Sequence, residues 1–310
     1  MTVRPLSAVL KKKAERELNE DQRRLASDIV ALRDWMKKQP HLESIQPTDQ
    51  WIVAFLRGCK FSLERTKEKL DMYYTLKSLV PEFLSNRDPL DRKIQEMLKL
   101  GLFLPLRRCK DEDSSRICII RMGAFNPSLY HLTDVLKISF MITEIMMLED
   151  DNFNIAGEES IIDLKGVGIN IISQWTPALA KKATSCYEKA FPVRVRSTYI
   201  INTPSGFEAP YAILKTFLSE KLKKRIKVYN KDYKAIYHTV PQSTLPVEYG
   251  GQDGSLQELI DYWKLKVESY RDWFLAQEIA KSNERLRPGA PKTTSALFGV
   301  EGSFRALQVD

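Results

Sequence analysis

The sequence predicts an α/β protein in three parts: an N-terminal helical bundle over residues 1–88, an α/β domain with a mostly parallel sheet over 89–255, and a helix with an irregular tail over 256–310. Two observations carry this. Up to about residue 85 the apolar residues recur only at helical spacing, whereas beyond it four β-branched runs alternate with helical stretches of 10 to 17 residues. Such alternation implies right-handed crossovers and parallel strands. With 310 residues, 43% of them hydrophobic, the chain can bury a core for one such domain and its helical additions.

Leu18, Leu25 and Leu32 stand at heptad spacing beside Ile29 and Trp35, which predicts one amphipathic helix in the first 40 residues. Thr48 is the candidate cap of a second helix carrying Ile52, Phe55 and Leu56, and a third runs from Ser62 to the break at Pro81. Another helix follows near 91–100. RICIIRM at 116–122 reads as a buried strand, and Thr133 as the cap of a helix ending at Glu149. Then come a strand at 160–164, a helix opened by Thr176 and Pro177, a strand at 195–201, a helix near 207–218 and a strand at 225–229. LPVEYGG at 245–251 closes the domain. Residues 256–280 resume an amphipathic helix, and from Arg287 onward the Pro, Gly, Ser and Thr content predicts a tail without regular structure.

The N-terminal apolar stretch is too short for a signal-peptide core, so a cytoplasmic protein is expected. The most apolar window, 138–148, carries Glu144 in its middle and falls short of a spanning helix, so any membrane contact is peripheral. Cys59, Cys109, Cys118 and Cys186 form no CxxC pair, which points away from zinc and dithiol chemistry. A net charge of +8 favours an anionic partner, phospholipid or nucleic acid.

No catalytic constellation stands out, and no metal site or cofactor is expected. The first strand–helix junction reads GAFNPS, without the glycines that let backbone amides approach a phosphate, and GVG at 166–168 supplies two of the three glycines of a dinucleotide loop. His41, His131 and His238 lie in no GxSxG or HExxH context. Asp163, at the carboxyl end of a strand, has no visible catalytic partner and reads as a cap or ion pair for a neighbouring loop.

Five ordered stretches resemble the CRAL-TRIO lipid-binding family, in its α-tocopherol transfer protein and retinaldehyde-binding protein branch: FLRGCKF at 55–61, IIDLKGVG at 161–168, FPVRVRSTYIINTP at 191–204, FLSEKLKKRI at 217–226 and LPVEYGG at 245–251. The resemblance spans about residues 45–255. It implies a sheet flooring an apolar cavity closed by a gate helix, and a bound hydrophobic ligand that is tocopherol-like, retinoid-like or another isoprenoid. The gate would be 207–218, presenting Phe207, Tyr211, Leu214, Phe217 and Leu218. The other candidate wall residues are Ile119, Phe140, Ile145 and Met146, then Ile162, Trp175, Leu179 and Ile200. Burying about 300 Å² of ligand at roughly 25 cal/mol per Å² gives on the order of 7 kcal/mol before association costs, so such a carrier requires no reactive group.

Directly after the gate, EKLKKRIKVYNKDYK at 220–234 concentrates Lys221, Lys223, Lys224, Arg225, Lys227, Lys231 and Lys234. The resemblance implies that Arg194, Lys221 and Arg225 bind phosphoinositide headgroups, while Cys59 stands where the branch has a further basic residue, flanked by Arg57 and Lys60. The expected partners are therefore a lipid ligand and an anionic, phosphoinositide-bearing membrane, endosomal membranes among the candidates. The basic run lacks the aromatic platforms of nucleic-acid modules. The competing expectation is a phosphoinositide-binding trafficking adaptor without cargo, recruiting a partner through the LFGVEGSF tail at 297–304.

Overall fold

The computed structural model describes residues 3–230 and 233–299. Ser7 opens α1 (Ala8–Leu18) by accepting the Leu10 amide, and Asn19, with φ of 62°, ends it in the left-handed conformation. That break divides the single helix read from the leucine heptad. Leu18 packs with Leu10, Ala14 and Ile155, while Leu25 and Leu32 belong to α2 (Leu25–Lys37) and enter the main core. Thr48 caps α3 (Asp49–Gly58), and α4 (Leu63–Leu79), α5 (Pro81–Leu84) and α6 (Arg92–Lys99) complete the helical front. Trp51, Phe55 and Tyr73 make its centre, ring centroids 5.4 to 5.7 Å apart.

The chain then forms β1 (Phe103–Pro105), β2 (Arg116–Arg121), α7 (Leu132–Glu149), α8 (Asp151–Ile155) and β3 (Glu158–Asp163). After α9 (Ile169–Ile172) and α10 (Pro177–Ser185) come β4 (Val195–Ile201), α11 (Glu208–Phe217), α12 (Glu220–Lys223) and β5 (Ile226–Val228). Strands lie in chain order, β1 antiparallel to β2 and every other pair parallel. With every crossover running the same way, right-handedness puts the helices of α7, α10 and α11 on one face. The chain 233–251 covers the other, with Ile236, Val240 and Leu245 fully buried and the Tyr249 hydroxyl donating to Asp163 at 2.7 Å.

Glu144 shows why a charge interrupts the apolar stretch of α7. It is fully buried, accepting from Tyr73 of α4 at 2.5 Å and pairing with Arg87 at 2.5 Å. A buried ion is tolerated when paired and hydrogen-bonded, and this one ties the helical front to the α/β part. One buried apolar cluster accordingly runs through both.

Three local expectations are corrected. His131, not Thr133, caps α7, because its Nδ1 accepts the Thr133 amide. The helix read over 256–280 breaks at Tyr270 into α13 (Leu256–Ser269) and α14 (Arg271–Gln277). The segment from Arg287 to 299 is no free tail. Arg287 and Lys292 both reach Asp71 on α4, at 2.8 and 2.5 Å, and Thr293 caps α15 (Thr294–Phe298), which buries Phe298. Residues 300–304 of the candidate recruiting segment, and Lys231, lie outside the described residues.

Candidate functional site: an apolar cavity beside a basic cleft

Period-two alternation sends Ile120, Ile162 and Ile200 to the helix-covered face of the sheet, where strand register lines them up as one rung. They floor a cavity of about 290 Å³. Leu132, Val135, Leu136 and Ser139, spaced to share one side of α7, face that floor. Ile171, Ile172 and Trp175 close one flank, and Ala183, Thr184 and Tyr187 another. The roof is α11, which offers Tyr211 and Leu214, with Phe207 and Leu218 at its ends. No residue of α11 is buried, so this helix covers the hollow without packing into it. Phe207 and Tyr211 stack with centroids 4.9 Å apart.

Of the wall residues expected from sequence, the structure brings together Ile162, Trp175, Ile200, Phe207, Tyr211, Leu214 and Leu218. Six lie elsewhere. Ile119 sits one residue from Ile120 and so points to the opposite face, in register with Ile161 and Tyr199. Phe140, Ile145 and Met146 lie beyond Ser139, the last α7 residue on the cavity wall; Phe140 stacks on Phe191 at 4.8 Å and packs near Phe83. Leu179 precedes by one turn the part of α10 that reaches the wall, and Phe217 is turned off the line of Tyr211, Leu214 and Leu218. Ile120, Met122 and the first half of α7 were missed. Carrying the alternation of Ile162 across the sheet would have selected Ile120.

Behind Tyr187, Glu188, Val195 and Leu222, which border both hollows, lies a cleft of about 720 Å³. Arg194, Lys221 and Arg225 meet there. Lys189 and Arg196 flank Arg194, and distant segments add Lys60, Arg65, Lys69 and Lys292, against the acidic Glu68, Asp71 and Glu188. Gly58 lets the end of α3 approach this wall: a Cβ there would lie 2.1 Å from the Pro192 carbonyl oxygen.

The cations crowd. Burial, then Arg225, Lys60, Arg194 and Arg65, push the Lys221 pKa down. Burial followed by Arg196 does the same to Arg194 and Arg225. An anion in the cleft would relieve that repulsion. Part of the set is braced by protein. Arg194 donates to the Ile155 carbonyl and Arg225 to that of Val195, Arg196 pairs with Glu17 at 2.7 Å, and Lys69 donates to the carbonyls of Glu188 and Phe191. Cys59 lines the cleft as a neutral thiol, burial raising its pKa. Lys60 beside it faces the cleft, but Arg57 is buried with Glu20 at 2.9 Å and is no substitute. Nor does the 220–234 run act as one surface. Lys223 pairs with Glu220, and Lys227 lies over the Tyr199 ring on the far side of the sheet.

Asp163 is fully engaged, accepting from Tyr249, Asn202 and the Lys165 amide. His41 bonds Asp71 at 2.8 Å. Among the described residues no cluster of His, Cys, Asp or Glu could hold a metal, and no helix is long and apolar enough to cross a membrane.

The family model for the CRAL/TRIO domain matches residues 102–251, and that for the Pinta-like UBA domain matches 21–94. The Homo sapiens protein named alpha-tocopherol transfer protein-like is 30% identical over 244 residues, 79% of this chain and 70% of that one. Homo sapiens clavesin-2 is 27% identical over 246 residues, 79% of this chain and 75% of the other. The solved structure of Sfh5 covers 87% of this chain at 13% identity with a TM-score of 0.46, a likeness too loose to carry an argument.

Proposed function

We infer, from the premise that this chain belongs to the CRAL/TRIO family, that it encloses one tocopherol-like, retinoid-like or other isoprenoid molecule and exchanges it at phosphoinositide-bearing membranes. Lipid binding and transfer is the general activity its relatives support. The observation that carries the finer reading is the isoleucine-floored cavity roofed by a helix with no buried residue. A roof held so lightly can lift while the floor stays rigid, and lifting at a bilayer lets an apolar molecule partition out of water's reach. Arg194, Lys221 and Arg225 would hold the phosphoinositide headgroup alongside. Peripheral, electrostatic attachment of a cytoplasmic protein fits that arrangement.

The test is transfer of a fluorescent tocopherol analogue between vesicles. The folded protein should raise the rate above the spontaneous one, and more so when acceptor vesicles contain phosphatidylinositol bisphosphate. A rate no faster than the spontaneous one contradicts the reading. The adaptor alternative draws on the cleft, whose cations come from four separate stretches of chain and need no cargo to assemble. Flotation with such vesicles by protein that accepts no lipid would favour it.

A further inference from the structure

The cavity is not uniformly apolar. One residue pair before the isoleucine rung, Cys118, Ser160 and Thr198 form a second rung on the same face of the sheet, by the register of β2, β3 and β4. At the start of β3, Glu158 turns to that face too and borders the cavity at 2% exposure. Ser160 donates to its carboxyl at 2.6 Å, and Cys118 hydrogen-bonds it as well. Among the described residues no cation pairs with it; Arg116, on the neighbouring strand, is spent on Asp150 at 2.5 Å and on the Leu106 carbonyl. Burial without a counter-charge raises the Glu158 pKa against the opposing hydrogen bonds from Ser160 and Cys118, a shift in favour of the protonated acid.

A lone acid in a greasy hollow calls for explanation, since a buried polar group is costly unless its hydrogen bonds are made. A neutral carboxyl offers one O–H donor and spare acceptor lone pairs. A hydroxyl, itself donor and acceptor, matches it. A carboxylate ligand would enter only after gaining a proton roughly three pH units above its own pKa. An amine would have to bury an ion pair. A plain hydrocarbon would leave the polar rung unused.

We propose that Glu158, braced by Ser160, is the polar anchor of the cavity and that the cargo is an apolar chain or ring system ending in one neutral hydroxyl group. This rests on the carrier reading and names the class of its cargo. Glu158 is thus a specificity-determining residue: the isoleucine rung supplies affinity, and the polar rung selects the terminus and fixes which end of the molecule lies deep.

A matched isoprenoid series tests it: phytanol, phytane, phytanic acid and phytanylamine, delivered from cyclodextrin, with binding followed by quenching of tryptophan emission, Trp175 being on the wall. In a merely apolar hollow the hydrocarbon binds best, because a buried hydroxyl without a partner is penalised. The proposal reverses that order, phytanol binding on the order of tenfold tighter than phytane. Glu158→Leu should bring the two within about twofold or restore the preference for phytane, while keeping phytane affinity at least at its original level. Glu158→Gln, which retains a donor and an acceptor, should keep the preference for the alcohol. Phytane binding as tightly as phytanol in the unaltered protein overturns the proposal, whether or not the variants fold. So does tightest binding of the acid or amine, or an alcohol preference that survives Glu158→Leu. If none of the four binds, the carrier reading itself fails, a result distinct from binding without selectivity.

Discussion

The apolar cavity and the basic cleft share a wall of four residues, yet they are built by different means. The cavity floor comes from adjacent strands, whose alternation and register place three isoleucines in line without any help from loops. The cleft is an assembly of chain ends and turns, from the α3–α4 junction, the stretch before β4, α12 with its following turn and the C-terminal strap. A pleated floor resists distortion, whereas a ring of mutually repelling cations depends on every segment being held in place. The cavity should therefore tolerate changes that disable the cleft, and the reverse should hold for a change that only fills the cavity.

The largest separation of the two should come from Lys221→Glu combined with Arg225→Glu. At roughly 1 kcal/mol per charge near an anionic leaflet, reversing both changes four charges and removes about 4 kcal/mol, on the order of a thousandfold in vesicle partitioning. Flotation with phosphatidylinositol bisphosphate vesicles measures this, and loading from cyclodextrin should stay unchanged. Loss of both activities would show that cavity and cleft are not independent.

Gly58→Ala acts on the scaffold of the cleft. Its methyl would have to fit 2.1 Å from the Pro192 oxygen, so α3 or the stretch before β4 must shift. A destabilisation of about 2 kcal/mol is expected, read as a lower melting temperature together with weaker flotation. Cavity loading measured well below the new melting temperature should survive.

A similar loss follows from acid, at the strap. Burial would raise the Asp71 carboxyl, but hydrogen bonds from Arg287, Lys292 and His41 outweigh it and hold the group at about 2. Because its folded pKa lies below the unfolded one, Asp71 stabilises fully above about pH 4 and loses that contribution as pH falls towards 2. Glu284, held at about 2 by Arg287 and Ser282 against the opposing effect of burial, titrates in the same window. Stability followed by denaturant between pH 5 and 2.5 should fall by up to about 2 kcal/mol more in the unaltered protein than in Asp71→Asn. Equal slopes would detach the strap from this account.

The contrast also explains what the sequence could reveal. The four expected strands were legible to within two residues because β-branched runs and their flanking turns are local signals, and β4 matches the expected 195–201; β1, only three residues long, went unread. The apolar stripe Tyr211, Leu214 and Leu218 is visible in the helical spacing, but its place over a cavity was implied only by the family resemblance. Ile119 was placed on the wrong face because a continuous apolar run, ICII, hides its own phase, and only pairing with β3 resolves it. Arg65, Lys189 and Arg196 were illegible as cleft residues because nothing local joins α4, the α10 end and β4. The strap went unseen because Arg287 and Lys292 owe their order to Asp71, more than 200 positions away in the chain.

We infer that the hollow above Ile120, Ile162 and Ile200 is cargo space. Solvent extraction of the purified protein, followed by mass spectrometry, addresses it most directly when run beside Ile200→Trp, whose indole would occupy that space. One hydroxyl-bearing lipid recovered in near-equimolar amount from the unaltered protein, after loading if need be, and little from a folded Ile200→Trp protein is the predicted result. Equal recovery from both, or none from either after exposure to isoprenoid alcohols, would contradict it.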